Sequence, residues 1–437
     1  MLPTLSEDNV RSIFQFCDVR TVLAVGRTNK SLHRLTRDKL VWIYLVDNLR
    51  RKGFVDLRLS EIQSLSSEAL VDLVKRMVVG PASWTPPKRL PFLSRLLWGS
   101  PGVPPPPPAQ ICRQFVVHAP GITPSRTKLL PGGEYVLLTT YHTLECWSVR
   151  EDRLIWAHQK VDPDSVIIDF AADMQGGNAV NLILYERPGA ITDGRRDRII
   201  QVLHLDLQTG ISASHRFTPW FYSCILLHWP TNAQITLTAN ESNSRFLVTL
   251  LPEHIVFVEP HADRKTFLGL IPNSDAVCSI QELPCIRVLI KVGLLHSRQS
   301  SELASSTLYA HESPLEDGMY RIWICTWGFT AIHGQRLLRS SIYRYNLLIP
   351  AGDISPEIRR GPSRTWGFNV NGAGTGYGSF SEHFVIQQTV TRCKVFCAQE
   401  ESQGVEFDFD GTDPYTSTYS GAITYTSDDS VVVAYFS

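Results

Sequence analysis

Two pairs of residues in this sequence have types and spacings that could bind a metal. Cys393 and Cys397 are four residues apart, and Asp408 and Asp410 flank Phe409. A structural zinc site needs four ligands, and no second Cys or His pair has zinc-finger spacing. We therefore interpret the cysteines as buried thiols. Calcium binding by the two aspartates is an alternative to an acidic turn without a metal, and we favour the acidic turn.

A glycine-rich segment, residues 372–378, is the candidate for phosphate binding. Its glycines stand at positions 372, 374, 376 and 378, so the third glycine of G-x-G-x-x-G is missing. No helix pattern follows that could hold a phosphate at its N-terminus. No P-loop, H-E-x-x-H or G-x-S-x-G motif occurs, and the thirteen histidines are dispersed. We expect no catalytic residue, no metal and no cofactor, and we predict that the protein is not an enzyme.

The overall composition is that of a folded protein with no bias towards polyanions. The chain has 437 residues, enough for two domains, with 43% hydrophobic and 19% charged residues and a formal net charge of 0. We expect neither a nucleic-acid partner nor a membrane partner, because no apolar stretch approaches the ~18 residues of a membrane span. Nine scattered cysteines and the lack of a leader pattern fit a reducing compartment, so we expect a cytoplasmic and/or nuclear protein.

The first 52 residues differ from this average, since they hold ten Arg plus Lys and five Asp plus Glu, a difference of +5. The positive side chains cluster between positions 27 and 39, at Arg27, Lys30, Arg34, Arg37 and Lys39. A solvated helix face is the simplest interpretation of this cluster. An acidic protein partner is the alternative.

Four short helical patterns occupy the same segment. Val10, Ile13, Phe14 and Cys17 have the i, i+3, i+4, i+7 spacing of one helix face. Thr4 with Glu7, or else Ser6, can cap this helix; Asp18 can cap a second helix and Thr28 a third, with Leu32 and Leu35 facing inward. The fourth pattern consists of Leu40, Val41, Trp42, Leu45, Val46 and Leu49. A domain of ~50 residues cannot bury all these side chains, so part of them must pack on the rest of the chain or bind a partner.

The order of these residues resembles an F-box. The similarity rests on Leu2-Pro3, Ile13-Phe14-x-Phe16-Cys17-Asp18, Leu23, the segment 27–32 and Trp42. Cys17 stands where leucine is usual in that family, and Leu2-Pro3 lies further from the first helix than usual. The resemblance covers about 45 residues.

This resemblance implies a partner and a set of contact residues. F-box proteins typically dock on a Skp-type adaptor and, through it, on the cullin of an SCF-type cullin-RING ubiquitin ligase. Carried over by position, the adaptor-binding residues would be Leu2, Pro3, Ile13, Phe14, Leu23 and Trp42. The chain would then recruit a client for ubiquitination without catalysing the transfer. A scaffold that assembles proteins outside ubiquitin transfer is the alternative function.

We expect three regions: an F-box helical domain at residues 1–52, a helical and proline-rich linker at 53–110, and a β domain at 111–437. Within the linker, Leu70, Leu73, Val74 and Met77 lie on one face of a predicted helix over Ser66–Val79, which Gly80-Pro81 ends. Five consecutive prolines, 104–108, favour a stiff polyproline II spacer, with a ligand for a proline-binding domain as the alternative.

Residues 111–437 contain over twenty short strand candidates separated by turn residues. Their grouping every roughly 40–55 residues is the period of a four-stranded propeller blade and predicts a degenerate β-propeller of about seven blades. Two packed β-sandwiches are the alternative fold. Cys146-Trp147-Ser148-Val149 resembles the blade-ending strand of a WD-type repeat. An F-box followed by such a propeller is similar to many fungal F-box proteins.

Two segments of the β domain are candidates for binding an unknown client protein. Residues 187–198 include Arg195, Arg196 and Arg198, a set suited to acidic or phosphorylated ligands. Residues 218–222 place Trp220 beside a proline and two further aromatic residues. The simpler interpretation is that the arginines are solvated and the aromatic residues belong to the core.

Overall fold

The structure, a computed structural model, describes most of the chain. The described residues are 5–84, 109–120, 124–158, 164–175, 179–187, 199–210, 212–217, 223–228, 233–238, 247–251, 254–260, 266–272, 286–290, 305–332, 335–350, 356–368, 377–389, 392–397, 404–409, 411–427 and 429–437. Helices come first in this part of the chain: α1 (Glu7–Phe14), α2 (Val19–Gly26), α3 (Lys30–Leu35), α4 (Lys39–Arg51), α5 (Leu59–Ser64) and α6 (Ser67–Val79), then a 3-10 turn (Ala82–Trp84).

Strands make up the rest of the described chain. They are β1 (Ile111–His118), β2 (Arg126–Leu129), β3 (Tyr135–Thr139), β4 (Leu144–Ser148), β5 (Arg153–Ala157), β6 (Val166–Gln175), β7 (Ala179–Arg187), β8 (Ile199–Asp206), β9 (Ser212–Phe217), β10 (Ser223–His228), β11 (Ala233–Thr238), β12 (Leu247–Leu250), β13 (His254–Pro260), β14 (Thr266–Pro272), β15 (Ile286–Ile290), β16 (Ser305–Glu312), β17 (Met319–Ile332), β18 (Gln335–Leu348), β19 (Glu357–Phe368), β20 (Tyr377–Gly378), β21 (His383–Thr389), β22 (Arg392–Cys397), β23 (Val405–Asp408), β24 (Thr412–Thr416), β25 (Ala422–Ser427) and β26 (Ser430–Phe436).

Polar caps start the first four helices. The side chains of Ser6, Asp18, Asn29 and Asp38 accept the backbone N–H groups of Asn9, Thr21, Leu32 and Leu40. The predicted caps at Ser6 and Asp18 are therefore confirmed. The predicted cap at Thr28 is wrong, because the Thr28 hydroxyl donates to the Val25 carbonyl (2.7 Å) and so belongs to the end of α2. Asn29, one residue later, is the N-cap of α3.

All six helices share one apolar core. Its buried members are Val10, Phe14, Val19, Val22, Leu32, Leu35, Val41, Trp42, Leu45, Val46, Leu49, Phe54, Val55, Ile62, Leu70, Val74 and Met77. The core continues past residue 52, where the sequence suggested a boundary, so residues 5–84 are treated below as one helical unit. Helix α5, which the sequence analysis did not predict, contributes only Ile62 as a buried residue, too little for a periodic signal.

The described strands form seven sheets, in which every resolved pairing is antiparallel. Six sheets have four strands, and the sheet of β10 and β11 has two in the described residues. Each four-stranded sheet is built from strands that follow one another in the chain, with one exception: β1 joins β24, β25 and β26. The alternative of two packed β-sandwiches is wrong, because each group of four strands forms a sheet of its own.

Apolar clusters join neighbouring sheets in chain order. One cluster joins the sheet of β2–β5 to that of β6–β9, and a second joins β2–β5 to the sheet containing β26. Others join β20–β23 to the sheet of β26, and β12–β15 to β16–β19. Trp323 packs edge-on against Phe384 (5.4 Å between ring centroids) and links β17 to β21. Small sheets side by side in this order are the arrangement of a β-propeller, so a mainly β chain with a small helical unit is confirmed.

The first and last strands of the β region close this arrangement. β1 pairs with β26 from Ile111↔Phe436 to His118↔Ser430. The strand that opens the propeller thus becomes the outer strand of the sheet formed by the last three strands. Val431 and Val433, both 0% exposed, pack from β26 into the cluster shared with the next sheet. The expected pairing of the last strand with the start of the β region is therefore present in the structure.

Candidate functional site: the outer surface of the helical unit

A buried polar contact fixes the helical unit on the propeller. The Tyr435 hydroxyl on β26 donates to Asp56 Oδ2 (3.1 Å), and both groups are buried. Burial raises the pKa of Asp56 to about 6. Gly133, at φ +67°, lets the two surfaces meet: a Cβ there would lie 2.5 Å from Asp56 and 2.6 Å from the Tyr435 hydroxyl.

Ion pairs surround this buried contact. Lys52 Nζ lies 2.9 Å from Glu312 Oε1 and 2.7 Å from Asp317 Oδ1 in the connection between β16 and β17. Arg150, in the connection between β4 and β5, donates to both carboxylate oxygens of Glu61 (2.9 and 2.8 Å) and thereby lowers the pKa of that carboxylate. The pairs thus join the helical unit to two separate sheets.

Trp84 anchors the end of the helical unit. Its side chain is fully buried in the cluster shared by β20–β23 and β24–β26, 5.6 Å from the Phe436 ring. The preceding Ser83 N–H donates to the carbonyl of Ser437 (2.8 Å). Since the helical unit contacts at least three sheets, we describe it as one body with the propeller, with one side facing the sheets.

Where the propeller does not cover it, the helical unit leaves large apolar side chains in solvent. We call them the outer apolar residues: Phe16 (90% exposed), Leu40 (56%), Ile13 (47%), Tyr44 (47%) and Leu23 (45%). Leu40 and Tyr44 line a shallow groove between α1 and α4 together with Asp8, Arg11, Ser12 and Gln15. Burying one such side chain is worth about 1.5–3 kcal/mol, so a partner that covered several would gain substantial binding energy.

Helix geometry explains why apolar residues of α4 point both ways. Val41, Trp42, Leu45, Val46 and Leu49 follow the i, i+3, i+4 spacing and are buried. Leu40 and Tyr44 are four residues apart and so lie together, but on a different side of the helix. The fourth apolar pattern of the sequence grouped Leu40 with the buried residues of α4, but Leu40 itself is exposed.

The predicted adaptor-binding residues divide into two groups. Ile13 and Leu23 are exposed and available for contact. Phe14 and Trp42 are each only 3% exposed, and the Trp42 indole N–H donates to the Thr36 carbonyl (2.8 Å). Phe14 and Trp42 thus pack beneath the surface, and the prediction that these positions serve the adaptor, by contact or by holding its binding face, stays a prediction. Leu2 and Pro3 lie outside the described residues.

The predicted client-binding residues Arg195, Arg196, Arg198 and Trp220 also lie outside the described residues. The strand ends that flank the arginine segment, Arg187 and Ile199, are described. β6 runs alongside β2 in the same direction, since Arg126 pairs with Asp169 and Lys128 donates to the Ala172 carbonyl. β2 leads into the turn at Gly133 beside Asp56, and β7 pairs antiparallel to β6 with Arg187 opposite Val166. Arg187 therefore lies at the end of its sheet away from the helical unit.

A buried serine–histidine cluster is the described feature closest to a catalytic arrangement. Ser381 Oγ lies 3.1 Å from His383 Nδ1 and 2.8 Å from Ser379 Oγ. His383 Nε2 has no hydrogen-bond partner among the described residues, so the carboxylate that would orient a catalytic histidine is missing. Burial lowers the pKa of His383 to about 4, and Gly80 and Trp84 cover its ring. The cluster is a packing contact between the helical unit and β21.

A second buried polar group joins two sheets. Glu382 is paired with Arg344 on β18 and with Arg321 on β17 (3.2 Å). Burial lowers the pKa of Arg321 to about 10, a value at which the guanidinium stays charged at pH 7. Sequence reasoning missed this triad, because its members come from separate sheets.

The described residues show neither a metal-binding group nor a membrane-spanning helix. They contain no group of three or more His, Cys, Asp or Glu side chains placed to hold a metal ion. None of their helices combines the length and the apolar character that crossing a bilayer requires.

Comparisons with known proteins give structural similarity only. No family model matches the chain, and a search of curated proteins finds no match. Two solved structures that are similar are the WD40 domain of SCAP from fission yeast (10% identity, 72% of this chain and 84% of that chain, TM-score 0.32) and the AfRom2 CNH domain (8%, 71% and 80%, TM-score 0.28). The strand pairing of this chain itself remains the basis for its fold.

Proposed function

We propose that this protein is a non-catalytic receptor in which the helical unit docks on an adaptor and the propeller holds a client protein. The observation that carries the proposal is the set of outer apolar residues, above all Phe16 at 90% exposure. A soluble protein seldom leaves several large apolar side chains together in solvent unless a partner covers them. The same unit packs on the propeller through Asp56 and Lys52.

In its specific form, the proposal is that the helical unit is an F-box and that the adaptor is of Skp type. The F-box resemblance of the sequence supports this, and Ile13 and Leu23, two of the positions it selects, are exposed. Through the adaptor the protein would join an SCF-type cullin-RING ligase as its substrate-recruiting subunit. We count each described sheet as one blade, which would make seven blades.

The propeller is suited to hold a client at a fixed distance from the adaptor. The buried contact of Asp56 with Tyr435 and the fully buried Trp84 hold the helical unit against the propeller. A client bound at the sheet ends away from the helical unit, where Arg187 lies, would therefore keep one orientation relative to the adaptor.

The test is a binding measurement on the full-length protein with a purified Skp-type adaptor. Phe16→Ala combined with Leu40→Ala should weaken binding at least ~30-fold, since loss of two apolar anchors removes about 2 kcal/mol or more. Leu59→Ala combined with Val79→Ala is the matched control, because both side chains are apolar and exposed but lie on α5 and α6. The control should bind like wild type.

Three outcomes separate the candidate functions. If the variant Phe16→Ala with Leu40→Ala binds the adaptor as well as the control does, the docking surface is assigned wrongly. If the adaptor binds but a pull-down from cells recovers no cullin, the alternative function, a scaffold outside ubiquitin transfer, replaces the ligase function. If wild type itself fails to bind the adaptor, the F-box assignment is wrong.

A further inference from the structure

A positively charged surface surrounds the connections between α2, α3 and α4. Between residues 19 and 46 the only acidic residue is Asp38, whose carboxylate is paired with Arg11 Nε (2.8 Å). The basic side chains of the segment 27–39 are all exposed: Arg27, Lys30, Arg34, Arg37 and Lys39. We call these five residues the basic patch.

The residues of the patch lie close together because of the helix spacing. Lys30 and Arg34 are four residues apart on α3 and share one side of that helix, and Arg37 lies two residues past its end. Leu32 and Leu35 of the same helix are buried. Arg27 is the C-cap of α2, and Lys39 is the first residue of α4.

Most of the patch has no counter-charge of its own. Arg34 is paired with Glu7. The pKa of Glu68 is lowered first by a hydrogen bond from its own backbone N–H and also by the nearby charge of Arg37. For Arg27, Lys30 and Lys39, the described residues supply no carboxylate within salt-bridge distance, whereas Lys52, Arg58 and Arg150 at the propeller-facing side are all paired. Three cations of the patch thus lack a counter-charge among the described residues.

The outer apolar residues adjoin the patch in the chain. Leu23 lies one helical turn before Arg27 on α2, and Leu40 directly follows Lys39 on α4. A surface that combines exposed apolar anchors with a rim of one charge sign is typical of a protein interface. A basic cluster of this kind can also attract a nucleic acid, which is tested as a separate outcome below.

We infer that the partner of the helical unit presents an acidic protein surface to the basic patch, around the apolar contacts. This inference rests on the proposed docking function and adds the chemistry of the partner. Complementary charges of this kind act mainly on the rate of association and make it depend on salt. Because Arg27, Lys30 and Lys39 have no carboxylate partner among the described residues, the complex would supply the missing carboxylates.

The test reverses two of these charges without disturbing the helices. Lys30→Glu with Lys39→Glu changes the first residue of α3 and the first residue of α4, where the helix dipole favours a carboxylate. Lys75→Glu with Arg76→Glu, both exposed on α6, makes the same change in net charge elsewhere on the unit and is the control. The measurement is the association rate of the full-length protein with a purified Skp-type adaptor between 50 and 500 mM NaCl.

We expect the patch variant to associate about tenfold or more slowly than wild type at 50 mM NaCl and to converge with it at 500 mM, because salt screens the attraction. The control should stay within about twofold of wild type. Equal rates for the patch variant and wild type would overturn the inference while leaving docking intact. Absence of any wild-type binding would remove the docking function and, with it, the inference.

A second arm separates a protein surface from other polyanions. A single-stranded DNA oligonucleotide and vesicles of phosphatidylserine with phosphatidylcholine are titrated with the same three proteins. We expect that neither the oligonucleotide nor the vesicles show saturable binding that is lost in the variant Lys30→Glu with Lys39→Glu. Binding of either probe that depends on Lys30 and Lys39, together with unchanged adaptor rates, would show that the patch serves that polyanion instead.

Discussion

Apolar residues and cations of the helical unit are covered or paired where they face the propeller, and elsewhere several of them are exposed or lack a described partner. On the side facing the propeller, apolar residues such as Trp84 are covered, and cations such as Lys52 have carboxylates within 3 Å. On the outer side, Phe16 and Leu40 are exposed, and Lys30 and Lys39 are unpaired with any described residue. The difference teaches that the first side is a finished interface within the chain, and we propose that another molecule covers the second.

Loss of the closing strands would remove the propeller-facing side altogether, and it is the largest effect that we expect. Removal of residues 421–437 takes away β25 and β26, leaves β1 without its partner and deletes Tyr435, the ligand of Asp56. Exposed sheet edges then favour aggregation. We predict that the truncated chain is insoluble or melts without cooperativity in calorimetry.

A full-length chain carrying Ser430→Ala, a change at the start of β26 that keeps every backbone pairing, is the control for the truncation. It should remain soluble and melt cooperatively. A truncated chain that stays soluble with a cooperative transition like that of the control would contradict ring closure by β1 and β26. It would also show that the helical unit does not need Tyr435 to stay folded.

The buried Asp56 gives the propeller-facing side a dependence on pH. Its pKa is raised to about 6 by burial, above its ordinary value of 3.8. The folded protein therefore binds the proton more tightly than the unfolded chain. The stabilisation from this site is full below about pH 4 and is lost as the pH rises through 6. Each unit of pKa difference is worth about 1.4 kcal/mol, so the whole effect is about 3 kcal/mol.

Asp56→Asn tests this assignment. Asparagine keeps an oxygen for the Tyr435 hydroxyl and removes the charge, so the variant should lack this contribution to the slope of unfolding free energy against pH between about 4 and 7. Asp72→Asn, at an exposed position of α6, should leave the slope unchanged. The measurement is urea denaturation at four pH values. A slope in Asp56→Asn equal to that of wild type would mean that Asp56 is not the group responsible.

The features of the fold that could be predicted from the sequence are those whose residues interact over a short distance along the chain. The caps at Ser6 and Asp18 and the inward Leu32 and Leu35 were predicted correctly, since helix signals act over a few residues. The propeller was predicted from strand spacing, although its repeats are degenerate. The contact of Asp56 with Tyr435 joins positions 379 residues apart, and no local sequence pattern predicts it.

The candidate site shows the same limit. The helical spacing includes Phe14 and leaves out Phe16, but it also includes Ile13, which is exposed. Leu40 stands in a run with Val41 and Trp42, where apolar character alone cannot separate the inward from the outward residue. The basic patch could be predicted as a cluster, because its charges are close in sequence. Its lack of internal partners could not, because that depends on how the chain folds around it.

The smallest effect on stability is expected at Phe16, and it sharpens the comparison most. Phe16→Ala removes a side chain that is 90% exposed, so the free energy of unfolding should change by less than about 0.5 kcal/mol. Phe14→Ala, two residues earlier, removes one that is 3% exposed within the helical core and should cost about 3–5 kcal/mol. The same chemical change at neighbouring positions then compares a buried side chain with an exposed one.

Denaturation of both variants gives the stabilities, and titration with the adaptor gives the binding. Phe16→Ala should weaken binding at full stability, whereas Phe14→Ala should affect binding only through loss of folded protein. A Phe16→Ala variant as destabilised as Phe14→Ala would mean that Phe16 is already covered within the chain, and the outer side would then no longer be an open surface.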